Sequence, residues 1–188
     1  MTFDELLVKR RSIRKFQDKA VSLELIKGII NDSILAPSAG NEQPWEFVIV
    51  TNREMIDRIS IESKNYLLER ITSNPNDYAK RYERMLQKEA FHIFYHAPAV
   101  IFIVGETGLK NLHVDCALAA SYLMMSATAK GLGTCWVNFA AEIHDPEIRQ
   151  ELGMVENHKI VAPVAIGYPS KIPGIPHRKE PQILSVIQ

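Results

Sequence analysis

Phe3, Leu6 and Leu7 are apolar positions at helical spacing behind Thr2, with Glu5 three residues after it. That is the spacing of a capping box, and it predicts a short helix running to Arg10. Ser22 is placed to cap a second helix whose apolar face is Leu25, Ile26, Ile29, Ile30 and Ile34, and Pro37 stops it. A polar, turn-rich loop over 36–44 leads into a strand from Trp45 to about Thr51. From Arg53 to about Ile71 the period is helical again, with Ile56, Ile59 and Leu67 pointing inward. Ser73-Asn74-Pro75-Asn76 is a turn cluster, and Tyr78 to Glu89 reads as a charged helix.

The second half is more apolar. Residues 98–104 form a near-continuous β-branched run, the mark of a strand buried on both faces. Lys110 to Lys130 is the longest helix, with Val114, Leu118, Ala119, Tyr122, Leu123 and Ala127 at core spacing. It is apolar nearly all round and rich in small residues, which suits a central or subunit-contact helix, and Gly131 and Gly133 close it. Gly133–Phe139 reads as a strand, and Asp145-Pro146 starts a short helix that Gly153 ends. Residues 160–166 make another buried strand, in which Pro163 calls for an edge or a bulge because it has no N–H to give. Pro169, Pro173, Pro176 and Pro181 space out an extended tail, and Gln182–Ile187 is β-branched enough for a last strand.

The expected fold class is α+β: one domain over 1–188, a mixed β-sheet with helices on both faces. Two readings stand for 60–96, an ordinary exposed face or a cover over a site. The tail, 170–188, lies on its own subunit or reaches to a neighbour. A length of 188 residues suffices for one sizeable core. Zero formal net charge argues against a nucleic-acid binder. The longest apolar run, near 97–105, is too short to span a bilayer, and the charged amphipathic start is no signal peptide. Cys116 and Cys135 fit a reduced cytoplasmic chain and read as small buried apolar residues.

Several chemistries are missing. Gly131-Leu132-Gly133 follows a helix and precedes a strand, the reverse of a dinucleotide fingerprint, and there is no phosphate-binding GxxxxGK[ST] or nucleophile elbow. His92 and His96 have metal-ligand spacing but lack the glutamate of an HExxH motif, so no metal is expected. His113, His144, His158 and His177 are isolated; His177 adjoins Arg178 and could neighbour a phosphate.

Two stretches carry positive signals. Arg10-Arg11-Ser12-Ile13-Arg14-Lys15 packs four cations and a hydroxyl into six residues, which suits phosphate oxygens as well as it suits a solvated turn. Ala36-Pro37-Ser38-Ala39-Gly40-Asn41-Glu42-Gln43-Pro44-Trp45 opens directly into a strand. With GLGTCWVNF (131–139), PVAIGYP (163–169) and HRK (177–179) in the same order, the chain resembles the FMN-dependent nitroreductase family over nearly its whole length.

The resemblance implies an intertwined homodimer in which the C-terminal arm joins the partner's sheet, and a cover in the 60–96 region. It implies FMN bound by Arg10, Arg11, Ser12 and Arg14, with Arg178 as a second phosphate arm. Pro37, Ser38, Asn41 and Gln43 would reach the cofactor from the other subunit, and Trp136, Val137 and Asn138 would lie beside the flavin ring. The bulky Trp136 and Phe139 depart from the family's small-residue turn, and core packing is the competing reading for both. The implied reaction is ping-pong hydride transfer from NAD(P)H through FMN to an electron-poor acceptor, a nitroaromatic or quinone. The alternatives are another reaction on the same cofactor, such as reductive dehalogenation or dehydrogenation, and a flavin-binding module without turnover.

Overall fold

A computed structural model describes every residue from Met1 to Gln188. Its elements, in order, are α1 (Phe3–Lys9), α2 (Leu23–Ser33), β1 (Glu46–Val50), α3 (Arg53–Ser73) and α4 (Glu83–Leu86), then β2 (Ala99–Glu106), α5 (Leu112–Ala129), β3 (Gly133–Trp136), α6 (Pro146–Glu151) and β4 (His158–Gly167). Local capping chemistry sets the helix starts. Thr2 and Glu5 close the capping box on α1, Ser22 accepts from Leu25 N–H on α2, and Asp145 accepts from Glu147 and Ile148 N–H on α6.

The four strands are ordered β1-β2-β4-β3, and every neighbouring pair is antiparallel, so the sheet is not the mixed one expected. Alternation along β2 divides the core. Ala99, Ile101 and Ile103 face α2 and α5, while Val100, Phe102 and Val104 face α3, α6 and the segment 91–97. Helical elements therefore cover both faces. No helix is long and apolar enough to cross a membrane.

Pro163 is not on an edge: β4 lies between β2 and β3. The register slips between Ile103 and Val104, leaving Val161 as the extra residue of a bulge, but the proline itself is accommodated elsewhere. Val137 N–H donates to the Pro163 carbonyl at 2.8 Å. In an antiparallel pair the partner bond would run from N–H of residue 163 to the Val137 carbonyl. Proline cannot make it, and the spared Val137 carbonyl accepts from Ala140 N–H instead, starting a 3-10 turn over Asn138–Ala140. This is why the strand expected over Gly133–Phe139 stops at Trp136.

Three other expectations change. Tyr78–Glu89 is a 3-10 turn (Tyr78–Tyr82) followed by one turn of α-helix, because Asp77 caps the tight turn by accepting from Ala79 N–H. On α5, Ala119, Leu123 and Ala127 are buried, whereas Val114, Leu118 and Tyr122 stand exposed on a face that nothing in the chain covers. The tail after Ser170 is exposed throughout, and Gln182–Ile187 forms no strand, pairing with neither edge of the sheet, β1 or β3.

Candidate active site

The basic loop is fixed against the sheet by backbone pairing. Ser12 bridges Thr134, Ile13 N–H donates to the Thr134 carbonyl at 2.9 Å, and Gln17 N–H donates to the Tyr168 carbonyl at 2.8 Å. Contact is so close that a Cβ on Gly133 would lie 2.9 Å from Ile13 Cβ, which only glycine avoids. Ile13 is buried and Arg14, the next residue, points the other way into a cavity of about 530 Å³. That volume lies within the range of small-molecule sites.

Four chain segments build the cavity. The basic loop gives Arg14, and the end of β3 with its turn gives Cys135, Trp136, Val137, Asn138 and Phe139. The segment 66–85 gives Tyr66, Arg70, Tyr78 and Tyr82 among others, and Tyr95 comes from the turn before β2. This segment has its own small core of Leu67, Ile71, Ala79 and Leu86, and Tyr82 packs edge-on against Phe139 at 5.2 Å between centroids. Arg70 pairs with Asp77 at 2.8 Å and with Glu142 at 3.3 Å, and Tyr66 donates to the other Glu142 oxygen at 2.5 Å. This bond to a carboxylate, with burial, raises the Tyr66 pKa above its ordinary range. Cys135 and Cys116 are free and buried; burial pushes both thiols up, Cys116 to about 12, so neither is a ready nucleophile.

Arg14, Trp136, Val137 and Asn138 thus meet at one cavity, Val137 buried and Asn138 exposed. The remaining sequence-derived candidates lie outside it. Arg10 caps α1, its N–H donating to the Leu6 carbonyl. Arg11 lines a separate depression of about 320 Å³ with Ile13, Gly131–Gly133 and Ile172–Ile175. Ser12 is at the bridge to β3, and Arg178 is in the exposed tail. Pro37, Ser38, Asn41 and Gln43 sit on a loop tied to α5, where Asp115 accepts from Ala39 N–H at 3.1 Å. Ser38 Oγ accepts from Gln43 N–H there, and Asn41 and Gln43 both have left-handed backbone. Tyr95 and the Tyr66–Arg70–Glu142 cluster carry no signal in the sequence, where no spacing links them.

The arrangement suits an anionic, planar ligand. Arg10, Arg11 and Arg14 form no ion pair with any carboxylate, leaving three guanidinium groups within five residues uncompensated. Beside Arg14 are an indole and a cavity walled mostly by apolar and aromatic side chains. A phosphate-bearing heteroaromatic cofactor matches both features.

Residues 7–168 match the model of the nitroreductase family. The chain belongs to the nitroreductase family. It is 30% identical over 171 residues to a protein named NADH dehydrogenase/NAD(P)H nitroreductase from Archaeoglobus fulgidus, covering 88% of this chain and 84% of that one. Iodotyrosine deiodinase 1 of Sus scrofa is 28% identical over 202 residues, 98% of this chain and 68% of the deiodinase. Among solved structures, a Bacteroides fragilis nitroreductase with bound FMN superposes with a TM-score of 0.83 at 26% identity over 97% of each chain. This nitroreductase-family chain therefore has the fold in which its relatives hold FMN.

Proposed function

We propose that the protein is an FMN-dependent oxidoreductase that uses NAD(P)H to reduce an electron-poor acceptor of nitroaromatic or quinone type. The observation that carries this reading is the unpaired Arg14 guanidinium opening onto the cavity beside Trp136, Val137 and Asn138. Redox chemistry is what bound FMN supplies, hydride in from NAD(P)H and electrons out to the acceptor, in ping-pong order.

The chain's own residues bind, orient and exclude water. Arg10, Arg11, Ser12, Arg14 and, from the tail, Arg178 supply the cations and hydroxyl for a phosphate and its sugar chain. Trp136 and Val137 would flank a bound ring, and the first N–H groups of the 138–140 turn have no acceptor within that turn, so they would be free to donate to it. Tyr66, Tyr78 and Tyr82 act as the cover, keeping bulk water from the reacting face. Pro37, Ser38, Asn41 and Gln43 lie outside the cavity, and their role requires a homodimer in which each loop 36–44 serves the partner's site. The exposed apolar face of α5 and the exposed tail supply surfaces for that assembly and arm exchange.

A second reading, reductive dehalogenation, is favoured by the deiodinase relatives, which match up to 98% of the chain. One experiment separates the cases. As-purified protein is titrated anaerobically with NADH and NADPH, then given a nitroaromatic, a quinone and a halogenated phenol. A yellow protein bleached by nicotinamide and reoxidised by the first two supports the proposal; reoxidation by the halophenol alone supports the second reading. Colourless protein that ignores added FMN overturns both.

A further inference from the structure

The segment Phe91–Ala97 holds the most unusual backbone in the chain. Tyr95 (φ 56°) and His96 (φ 53°) are consecutive left-handed residues, and neither is glycine. A residue with a Cβ is disfavoured in this region, so the surroundings must impose the conformation. Ile93, Phe94 and Ala97 are fully buried, and Phe94 packs edge-on against Phe102 of β2. Ile93 N–H donates to Ser60 Oγ at 3.1 Å, and Tyr95 N–H donates to the His92 carbonyl at 2.9 Å.

The buried His92 ring is the centre of the turn. Its Nδ1 accepts from Phe94 N–H at 3.1 Å and from His96 N–H at 3.5 Å, so the ring proton resides on Nε2, which faces Asp57 Oδ1 at 3.1 Å. Asp57, His92 and His96 also have ligand atoms within 4.8 Å of one another, the one such cluster in the chain. A cation at His92 Nε2 would have to displace the proton and leave an imidazolate, because Nδ1 is already occupied by donors. The cluster is built for hydrogen bonding rather than for ligation.

What the strained turn delivers is Tyr95. Its side chain enters the cavity, where its hydroxyl accepts from Arg14 Nε at 3.3 Å and its ring lies 5.8 Å from the guanidinium carbon. Arg14 has no carboxylate to fix it, so this hydroxyl is the one side-chain hydrogen-bond partner that orients it. We propose that His92 and Tyr95 are positioning residues for the cofactor site: His92 clamps the left-handed turn, and the turn holds Tyr95 where it aims the Arg14 guanidinium into the cavity. The inference rests on the FMN reading above and adds residues to it that touch no reacting atom.

The test measures FMN dissociation constants of apoprotein by fluorescence quenching, with the visible spectrum of the bound flavin, for the wild type and four variants of verified fold. Tyr95→Phe, which removes one oxygen, weakens FMN by about three- to tenfold and shifts the flavin absorption bands. His92→Leu weakens it by no more than that, whereas His92→Asn, which keeps an acceptor close to the Nδ1 position, restores most of the affinity. Added to Tyr95→Phe, the His92→Leu change brings little further loss, because it acts through the hydroxyl already removed. Wild-type affinity and spectrum in Tyr95→Phe overturn this inference alone. Additive losses in the double variant also overturn it, since they assign His92 a general structural role. A wild-type chain that ignores FMN overturns it together with the function proposed above, and the two failures are told apart by the wild-type measurement.

Discussion

Gly133→Ala is the sharpest probe of how the basic loop is mounted. The added methyl would sit 2.9 Å from Ile13 Cβ and nearer still to Ile13 Cγ1. Carbon atoms in contact normally stay about 3.5–4.0 Å apart, so relief requires a shift of roughly 1 Å. Rotating Ile13 cannot supply it, because its Cβ, fixed to the backbone, is part of the clash. The loop must therefore lift from β3, which stretches the 2.9 Å bond from Ile13 N–H to the Thr134 carbonyl. Overpacking costs about 1–3 kcal/mol and the weakened bond up to about 1 kcal/mol. The reduced entropy of the unfolded chain returns about 0.4–1 kcal/mol. The expected net loss is about 1–3 kcal/mol, read as a lower urea midpoint at constant m-value in the apoprotein. FMN affinity falls in parallel, since Arg14 moves with Ile13. In an Ile13→Ala background, which removes Cγ1 and Cγ2, the cost of Gly133→Ala shrinks by at least about 0.5 kcal/mol. Strict additivity of the two substitutions would refute the close contact, and unchanged FMN affinity in a destabilised variant would refute the coupling of loop to site.

Arg14→Ala removes a charge-assisted contact and weakens FMN about tenfold to a hundredfold, by calorimetry, with little change in apoprotein stability. His92, lowered from 6.5 to about 4 by burial first, then by His96 and Arg53 against the opposing pull of Asp57, makes stability pH-dependent. Between those values the unfolded chain binds a proton that the folded chain refuses, so stability falls as pH drops from about 6.5 to about 4 and levels off below. With partial solvent access at the half-exposed Asp57, the expected loss is about 1–2 kcal/mol, checked by urea titrations from pH 7 to 4 on wild type and His92→Asn; equal slopes in the two would count against it. Leu118→Arg on the exposed face of α5 shifts the protein to monomer by sedimentation and lowers FMN affinity, whereas a wild type already monomeric at micromolar concentration speaks against subunit sharing.

Helix starts were legible because their causes lie within four residues: Thr2 with Glu5, Ser22 with Leu25, Asp145 with Ile148. Buried strands were legible from unbroken runs such as 99–104. Strand pairing was not, since nothing near Pro163 tells that β3, rather than solvent, lies beside its missing donor. Core spacing on α5 misplaced Val114, Leu118 and Tyr122 because a helix apolar all round does not say which side its own chain covers. At the site, Arg14 and residues 136–138 were readable as two short motifs. Tyr95 was not, because tyrosine and histidine do not announce a left-handed turn as glycine does, and its partner Arg14 is 81 positions away. Tyr66, Arg70 and Glu142 were equally silent, two sharing a helix face while the third arrives from beyond β3.

The half-made pair at Val137 and Pro163 has a consequence for how the site can vary. A strand beside an ordinary residue could lengthen whenever its sequence turned β-prone, and β3 would then draw residues 138 and 139 into the sheet and away from the cavity. Here the ring nitrogen of proline has no hydrogen to lend, so that extension is barred by covalent structure whatever side chains follow. Asn138 and Phe139 are thereby released from any duty to the sheet. This wall can exchange one bulky or polar contact for another, and so retune what the cavity accepts, with the scaffold left intact.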